Sequence, residues 1–334
     1  MKTKAKPNVK KLFQKISSIK VFVVGDVMID HYWRGHIERI SPEAPVPIIS
    51  IEEKESRLGG AANVALNCKS LEAEVYLLSM IGKDIAGNHF LSMLKDEGID
   101  TKFCLQSKER TTTNKTRIIS KSQQILRIDE EQTVPLSLKE EHHFIDVCLR
   151  AIQIEKPDIL IFEDYNKGLL SELIIEKIIT HCKHVGVFVA VDPKQKHFFS
   201  YQNVDLFKPN LKEVKDALNI EINNINLSVL KQVHSQLQQK LNHQTTLITL
   251  SEKGVFSQKD KESYLFPAHI RKIADVSGAG DTVIAVASIL LFLSKNISFA
   301  AQVSNLAGGL VCEEPGVVRI NKEKLIKETL EKMT

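Results

Sequence analysis

Paired cysteines, zinc-ligand spacings, long apolar runs and a lopsided charge are all missing from this chain. Its five cysteines (Cys68, Cys104, Cys148, Cys182 and Cys312) are scattered, odd in number and never spaced as CxxC. A disulfide framework and a zinc site are therefore disfavoured, and a reducing cytoplasm is the expected compartment. No apolar run reaches bilayer-spanning length, and the N-terminus has no signal-peptide core, so no membrane partner is expected. The formal charge is only +4, and basic residues are dispersed apart from Lys2, Lys4, Lys6, Lys10 and Lys11, which read as a solvated tail. That balance argues against a nucleic-acid partner. Internal repeats and low-complexity linkers are absent. So are a G-x-x-x-x-G-K-[ST] element, the protein-kinase signature set and a G-x-G-x-x-G after the first strand, which disfavours P-loop and dinucleotide enzymes. What remains, at 334 residues with 43% hydrophobic and 26% charged residues, is the composition of a soluble globular protein, expected to form one unit over 1–334.

The stretch around which the chain is organised is Ala274-Asp275-Val276-Ser277-Gly278-Ala279-Gly280-Asp281-Thr282, followed by an apolar helix over 283–293. Gly278 and Gly280 permit a tight turn with outward backbone N–H groups, and the helix start adds unpaired donors and a positive dipole end. A carboxylate is out of place in a pure anion site. It has a purpose if Asp281 takes a proton from a hydroxyl while the amides of Gly278, Ala279 and Gly280 hold the phosphate under attack. The simpler reading, an Asp that only caps a buried helix, stays open on this stretch alone.

Elsewhere the apolar run Val21–Val24 reads as a buried strand ending in Gly25-Asp26, which places Asp26 and Asp30 at a strand's C-terminal end, where open α/β sheets hold ligands. The segment Arg39–Pro47 is too proline-rich for a helix or central strand and reads as a rigid loop between edge strands. Gly59-Gly60-Ala61-Ala62-Asn63 leads into a helix; its glycines admit a ligand close to the backbone, and Asn63 can contact a polyol. A polar hairpin is predicted over 111–129, turning near Lys121-Ser122, with Thr113, Lys115, Arg117 and Ile119 on one face. Segments 27–53 and 101–129 together predict a small accessory sheet. Beyond Asp129 the chain alternates strand and helix. The strand ends carry Glu163-Asp164-Tyr165-Asn166-Lys167-Gly168, Asp192-Pro193-Lys194, Asn210-Leu211-Lys212-Glu213 and Ser251-Glu252-Lys253-Gly254, so these clusters line one edge of a parallel sheet.

An amide cradle, one adjacent carboxylate, polyol-binding acids and a few cations suit phosphoryl transfer onto a hydroxyl, a reaction catalysed mainly by positioning and charge stabilisation. Asp281 is the expected base. Glu213 is expected to organise Mg²⁺ through water, or else to serve as an ordinary first-turn acid. Arg117, Lys167 and Lys194 exceed what an uncharged sugar requires and fit a substrate that already bears a phosphate.

At these residues the chain resembles a known family. Asp275–Thr282 is similar to the C-terminal signature of the ribokinase-like (PfkB) carbohydrate kinases, and Gly59–Asn63 to their N-terminal signature. Gly25-Asp26-x-Met28-x-Asp30-x-Tyr32, Arg39–Pro47, Asp164-Tyr165-x-Lys167-Gly168 and Asp192-Pro193-Lys194 resemble the D-glycero-β-D-manno-heptose 7-phosphate kinases, which make the 1,7-bisphosphate on the route to ADP-heptose and lipopolysaccharide. The resemblance covers about residues 20–320. It implies an α/β ribokinase-like fold, a mostly parallel sheet flanked by helices with a small β lid. A sheet that small leaves edges and an apolar face exposed, so a homodimer paired through the lids is expected, with Trp33 or its neighbours at or near the contact. Lid-mediated dimers also occur among these kinases. The resemblance implies Asp281 as base, sugar contacts at Asp26, Asp30, Asn63 and Lys167, and Asn210 to Glu213 near ATP and Mg²⁺. Gly59, Gly60, Arg117 and Lys194 are further expected at the sugar phosphate, and Ser251, Gly254 and Asn305 at ATP. Mg²⁺ and a monovalent cation (K⁺) are the implied ions. Lacking a His-x-Gly-His motif, the chain resembles the form without a nucleotidyltransferase domain. Two departures stand out: Glu163 replaces a small residue before Asp164, and Glu313–Val318 differs from the usual adenine and cation loop. The rivals are a kinase of the same fold acting on ribose, fructose or another sugar, and a non-catalytic sugar-phosphate-binding regulator.

Overall fold

The computed structural model describes residues 8–121 and 123–333. Lys2, Lys4 and Lys6 of the N-terminal run, and Ser122 at the expected hairpin turn, lie outside them. A short helix α1 (Val9–Gln14) leads to β1 (Lys20–Gly25), after which the chain runs through two long strands, β2 (Val27–Ile40) and β3 (Pro47–Gly60). Then come α2 (Ala61–Ser70), β4 (Glu74–Gly82), α3 (Ile85–Asp96), β5 (Cys104–Ser107), β6 (Asn114–Ser120) and β7 (Gln123–Glu130). Alternation resumes with α4 (Leu138–Glu155), β8 (Ile159–Glu163), α5 (Glu172–Val185), β9 (Phe188–Asp192), β10 (Leu206–Phe207), α6 (Leu211–Leu218), α7 (Leu227–Leu241) and β11 (Thr245–Thr249). The hairpin β12 (Val255–Lys259) and β13 (Glu262–Phe266) precedes the helices α8 (Ala279–Ser294), α9 (Ile297–Val311) and α10 (Lys322–Met333).

Nine strands form one sheet in the order β13-β12-β11-β10-β9-β8-β1-β4-β5. All neighbours are parallel except β11–β12 and β12–β13. Both faces are covered, which is why the strands read as unbroken apolar runs rather than as alternation. In β1, Val21 and Val23 join the core under α2, α8 and α9, while Phe22 and Val24 join the opposite core under α4 and α5. Helix α8 is buried all round from Asp281 to Leu291, as expected of a helix with no polar face. Chain order departs in opposite directions from the β1–β8 pair, so the carboxyl ends of these two strands flank a topological switch point, where ligands bind in such sheets. Among the described residues no helix is long and apolar enough to cross a membrane.

A second, four-stranded sheet has the order β3-β2-β6-β7. The proline-rich segment is its turn, closed by Ser41 N–H donating to the Val46 carbonyl at 2.8 Å, and Pro47 opens the edge strand β3, where its missing donor does no harm. This sheet is narrower than 27–53 plus 101–129 suggests at one point and longer at another. Residues 104–107 pair with β4 in the large sheet, while β3 extends to Gly60. Cross-strand register sorts the two faces. Asp30 and Tyr32 stand beside Lys115 and Arg117 and opposite Arg57 and Glu55, giving one charged face. Trp33, Ile118 and Leu126 line up on the other, with Ile128 opposite Thr116, giving an apolar face.

Candidate active site

The turn before α8 is held from both sides. Gly278 has φ +77°, a left-handed conformation, and a Cβ there would lie 2.7 Å from Asn63 Nδ2, so only glycine fits. Asp275 accepts from the backbone N–H groups of Ser277 (2.9 Å) and Gly316 (3.0 Å), which pins the turn to the 313–318 loop. That loop is tied in turn to the small sheet, where Val317 N–H donates to the Tyr32 hydroxyl and Arg57 donates to the carbonyls of Pro315 and Val317. Asp281 follows in the first turn of α8 and is only 4% exposed. Its two oxygens are oriented separately: Asn63 Nδ2 donates to Oδ2 and the Tyr165 hydroxyl to Oδ1, each at 2.8 Å. Burial pushes the Asp281 carboxyl above the usual aspartate range, an effect opposed by these two donors and reinforced by Asp192.

Next to it, register places three strand ends side by side, with Gly25, Glu163 and Asp192 paired across β1, β8 and β9. Glu163 has no exposed surface, and among the described residues neither of its carboxylate oxygens has a hydrogen-bond partner. Desolvation pushes its carboxyl well up, and Asp192 and Asp281 add to the effect. Asp192 is paired with the buried ammonium of Lys208 at 2.7 Å. One oxygen from each of Glu163, Asp192 and Asp281 lies within 4.8 Å of the others. Gly280 sits over the Asp192–Lys208 pair, where a Cβ would be 3.6 Å from Asp192 Oδ2.

A buried carboxylate at the start of a helix and a left-handed glycine turn before it thus stand beside the switch point of the sheet, where ligands bind in such folds. The pfkB family carbohydrate kinase profile matches residues 18–324. The chain belongs to the pfkB family of carbohydrate kinases. It is 38% identical over 307 residues to the bifunctional protein HldE of Helicobacter pylori (strain J99), covering 92% of this kinase and 65% of that protein. It is 36% identical over 303 residues to HldE of Campylobacter curvus, covering 91% and 63%. This kinase thus spans slightly less than two thirds of the length of these relatives. Phosphofructokinase-2 of Escherichia coli, in complex with substrates and products, has the same fold with a TM-score of 0.78 at 16% identity, covering 95% of this kinase and all of that chain. Ribokinase of Arabidopsis thaliana, complexed with ribose and ATP, matches with a TM-score of 0.72 at 17% identity over 92% and 99%.

The kinase gathers some of the residues expected from sequence and redirects others. Gly278, Ala279, Gly280 and Asp281 form one turn, and Asn63, expected at the sugar, is buried and donates to Asp281. Asp26 is buried and accepts the backbone N–H groups of Tyr165, Lys167 and Leu169, so it shapes the 165–169 turn from beneath. Asp30 pairs with Arg117 at 2.6 Å on the charged face of the small sheet. Gly59 makes room for that pair, since a Cβ there would fall 2.1 Å from Asp30 Oδ2, and Gly60, with φ +61°, begins the turn into α2. The other two cations expected at a substrate phosphate also have carboxylate partners: Lys167 on Glu131 and Lys194 on Glu213, both at 2.8 Å. Despite burial, Asp192, Glu213 and Glu163 hold the Lys194 ammonium above its usual range.

Asn210 and Glu213 form a capping box on α6: the Asn210 side chain accepts from Glu213 N–H, and Glu213 Oε2 accepts from Asn210 N–H at 2.7 Å. Both oxygens of Glu213 are thus engaged, one with backbone and one with Lys194, and the convergent carboxylates are those of Glu163, Asp192 and Asp281. Ser251 starts the exposed turn after β11. Gly254, at φ +93°, packs against the backbone of 266–268, and Asn305 donates to the Pro267 carbonyl at 2.9 Å. These form a second cluster beyond β11. Tyr165, Glu163, Asp192 and Lys208 escaped selection as site residues from sequence. Three lay within quoted strand-end clusters, but only the strand register and the 165–169 turn aim them at Asp281.

Proposed function

We propose that this kinase transfers the γ-phosphate of ATP to the anomeric hydroxyl of D-glycero-β-D-manno-heptose 7-phosphate, giving the 1,7-bisphosphate used for ADP-heptose and lipopolysaccharide. The observation that carries the reading is Asp281, buried at the first turn of α8 and fixed by Asn63 and Tyr165 beside the glycine turn. The likeness to HldE over 92% of the chain supports a heptose as substrate. In this mechanism Asp281 accepts the hydroxyl proton, while the amides of Gly278 to Gly280 and the α8 dipole stabilise charge on the transferring group. Arg117, Lys167 and Lys194 would exchange a carboxylate partner for the substrate's phosphate or the donor's. Asn210, Glu213, Ser251, Gly254 and Asn305 are assigned to the ATP side. Mg²⁺ would supply charge neutralisation there, and Glu213 suits an outer-sphere role because each engaged oxygen keeps a lone pair for a bridging water. Activation by K⁺ belongs to the same proposal, supported by a phosphofructokinase-2 of this fold in complex with potassium.

ATP consumption against heptose 7-phosphate, the free heptose, ribose and fructose 6-phosphate tests the reading. The highest kcat/KM is expected with heptose 7-phosphate. Equal kcat/KM for the free heptose, or preference for ribose or a fructose, would refute it.

Assembly completes the proposal. The charged face of the small sheet turns toward the 313–318 loop, whereas the other face leaves Leu126 and Ile128 about half exposed beside Trp33. A small sheet with an open apolar face and free edges is marginal alone. We assign that face to a two-fold contact with a second copy.

A further inference from the structure

We propose that Glu163, Asp192 and Asp281 form a divalent-cation site that fills before any nucleotide binds. Glu163 is the starting point. It ends β8 between Gly25 of β1 and Asp192 of β9, has no exposed surface, and among the described residues has no partner for either oxygen. A buried carboxylate left this way is expensive, so something must neutralise it. The charges facing it decide between a proton and a metal. Lys208 lies 2.7 Å from Asp192 and cancels one of the three carboxylates. Lys194 is taken by Glu213 at 2.8 Å and stands 3.9 Å from Asp192. The hydroxyl of Tyr165 and the amide of Asn63 are neutral donors on Asp281. Two negative charges therefore remain uncompensated around one point, the charge of a single divalent ion.

The geometry agrees. Oxygens of the three carboxylates lie within 4.8 Å of one another, and ligands on an ion with metal–oxygen distances of about 2.0–2.6 Å are separated by roughly 3–5 Å. Asp281 and Asp192 keep lone pairs beyond those used for their present partners, and Glu163 has all of its own. Hard oxygen donors select Mg²⁺ or Mn²⁺. Three ligands from the protein make the site independent of phosphate oxygens, unlike a metal that arrives with a nucleotide. The ion would hold Asp281 ionised and correctly oriented before substrate enters.

The test uses the full chain, stripped with chelator, free of nucleotide and sugar, with Mn²⁺ alone as probe, followed by electron paramagnetic resonance and calorimetry. One Mn²⁺ per chain is expected, displaced by Mg²⁺ and raising the melting temperature. Glu163→Gln, which preserves shape, should weaken that binding at least tenfold and abolish the thermal shift, and Asp192→Asn should do the same. No Mn²⁺ bound without nucleotide, or unchanged affinity in Glu163→Gln, would overturn the site and leave Glu163 neutralised by a proton. If Glu163→Gln does not fold, the titration and thermal shift of the unsubstituted chain decide alone. Neither readout involves a sugar, so failure of the heptose assay and failure of this site are separable.

Discussion

Tyr165→Phe isolates one donor on the base without disturbing its packing. The Tyr165 hydroxyl donates to Asp281 Oδ1 at 2.8 Å, its ring is in the cation–π range of Lys194, and its backbone N–H is held by Asp26. Phenylalanine keeps the ring and the backbone bond and removes only the hydroxyl. A base works in its ionised form, and a donor to a carboxylate favours that form. Removing the donor therefore raises the Asp281 pKa further and moves the acid limb of kcat to higher pH. Hydrogen bonds to charged groups contribute about 1.5–3 kcal/mol. If roughly half of that distinguishes carboxylate from carboxylic acid, the limb moves by about 0.5–1 pH unit, at 1.36 kcal/mol per unit. The alkaline plateau should stay within a factor of a few. The assay is a pH profile of kcat at saturating substrate for both proteins. Asp164, whose carboxyl burial pushes to about 6, adds a titration of its own, so the limb's displacement on substitution carries the information and its position does not. Asp164 bonds to Asn166 N–H and the Tyr201 hydroxyl, both untouched by the substitution. An unmoved limb with kcat lowered equally at every pH would refute the orienting role given to Tyr165.

Asp281→Asn should lose about 10²–10⁴-fold in kcat with substrate binding retained, measured by steady-state kinetics and calorimetry; activity within a few-fold would remove Asp281 from the mechanism. Gly59→Ala places a Cβ 2.1 Å from Asp30 Oδ2, so it should displace the Asp30–Arg117 pair, cost about 1–3 kcal/mol by denaturant titration, and raise the sugar KM more than it lowers kcat. Asn210→Ala removes the α6 cap and should cost about 1 kcal/mol, read in the same titration. Light scattering at micromolar concentration should give twice 37.6 kDa, and Leu126→Glu should halve the mass; an active monomer of the unsubstituted chain would show that the apolar face needs no partner.

Much of the fold is legible in the chain because its signals are local. The unbroken run Val21–Val24 announces a strand covered on both faces, and Gly278 before an all-apolar helix announces the turn and α8. The Pro42–Pro47 segment announces the loop into edge strand β3 for a similar reason, since proline's missing donor constrains its own neighbourhood, whereas β2 before it lies between β3 and β6 and is not an edge strand. Asp281 and Asn63 could therefore be picked out residue by residue. What they touch could not, because contact between strand ends depends on register between segments far apart in sequence. Nothing local in Glu163 distinguishes a solvated acid from one sealed between Gly25 and Asp192; only the pairing of β1, β8 and β9 does. Asp26 looked like a sugar ligand by its place after β1, until the 165–169 turn closed over it with three backbone donors. Residues 104–107 are expected in the small sheet from their place in the chain, and their parallel pairing with β4 puts them in the large one instead. Side-chain chemistry and backbone preference are properties of the sequence, whereas desolvation and partnership are set by chain segments brought together from a distance.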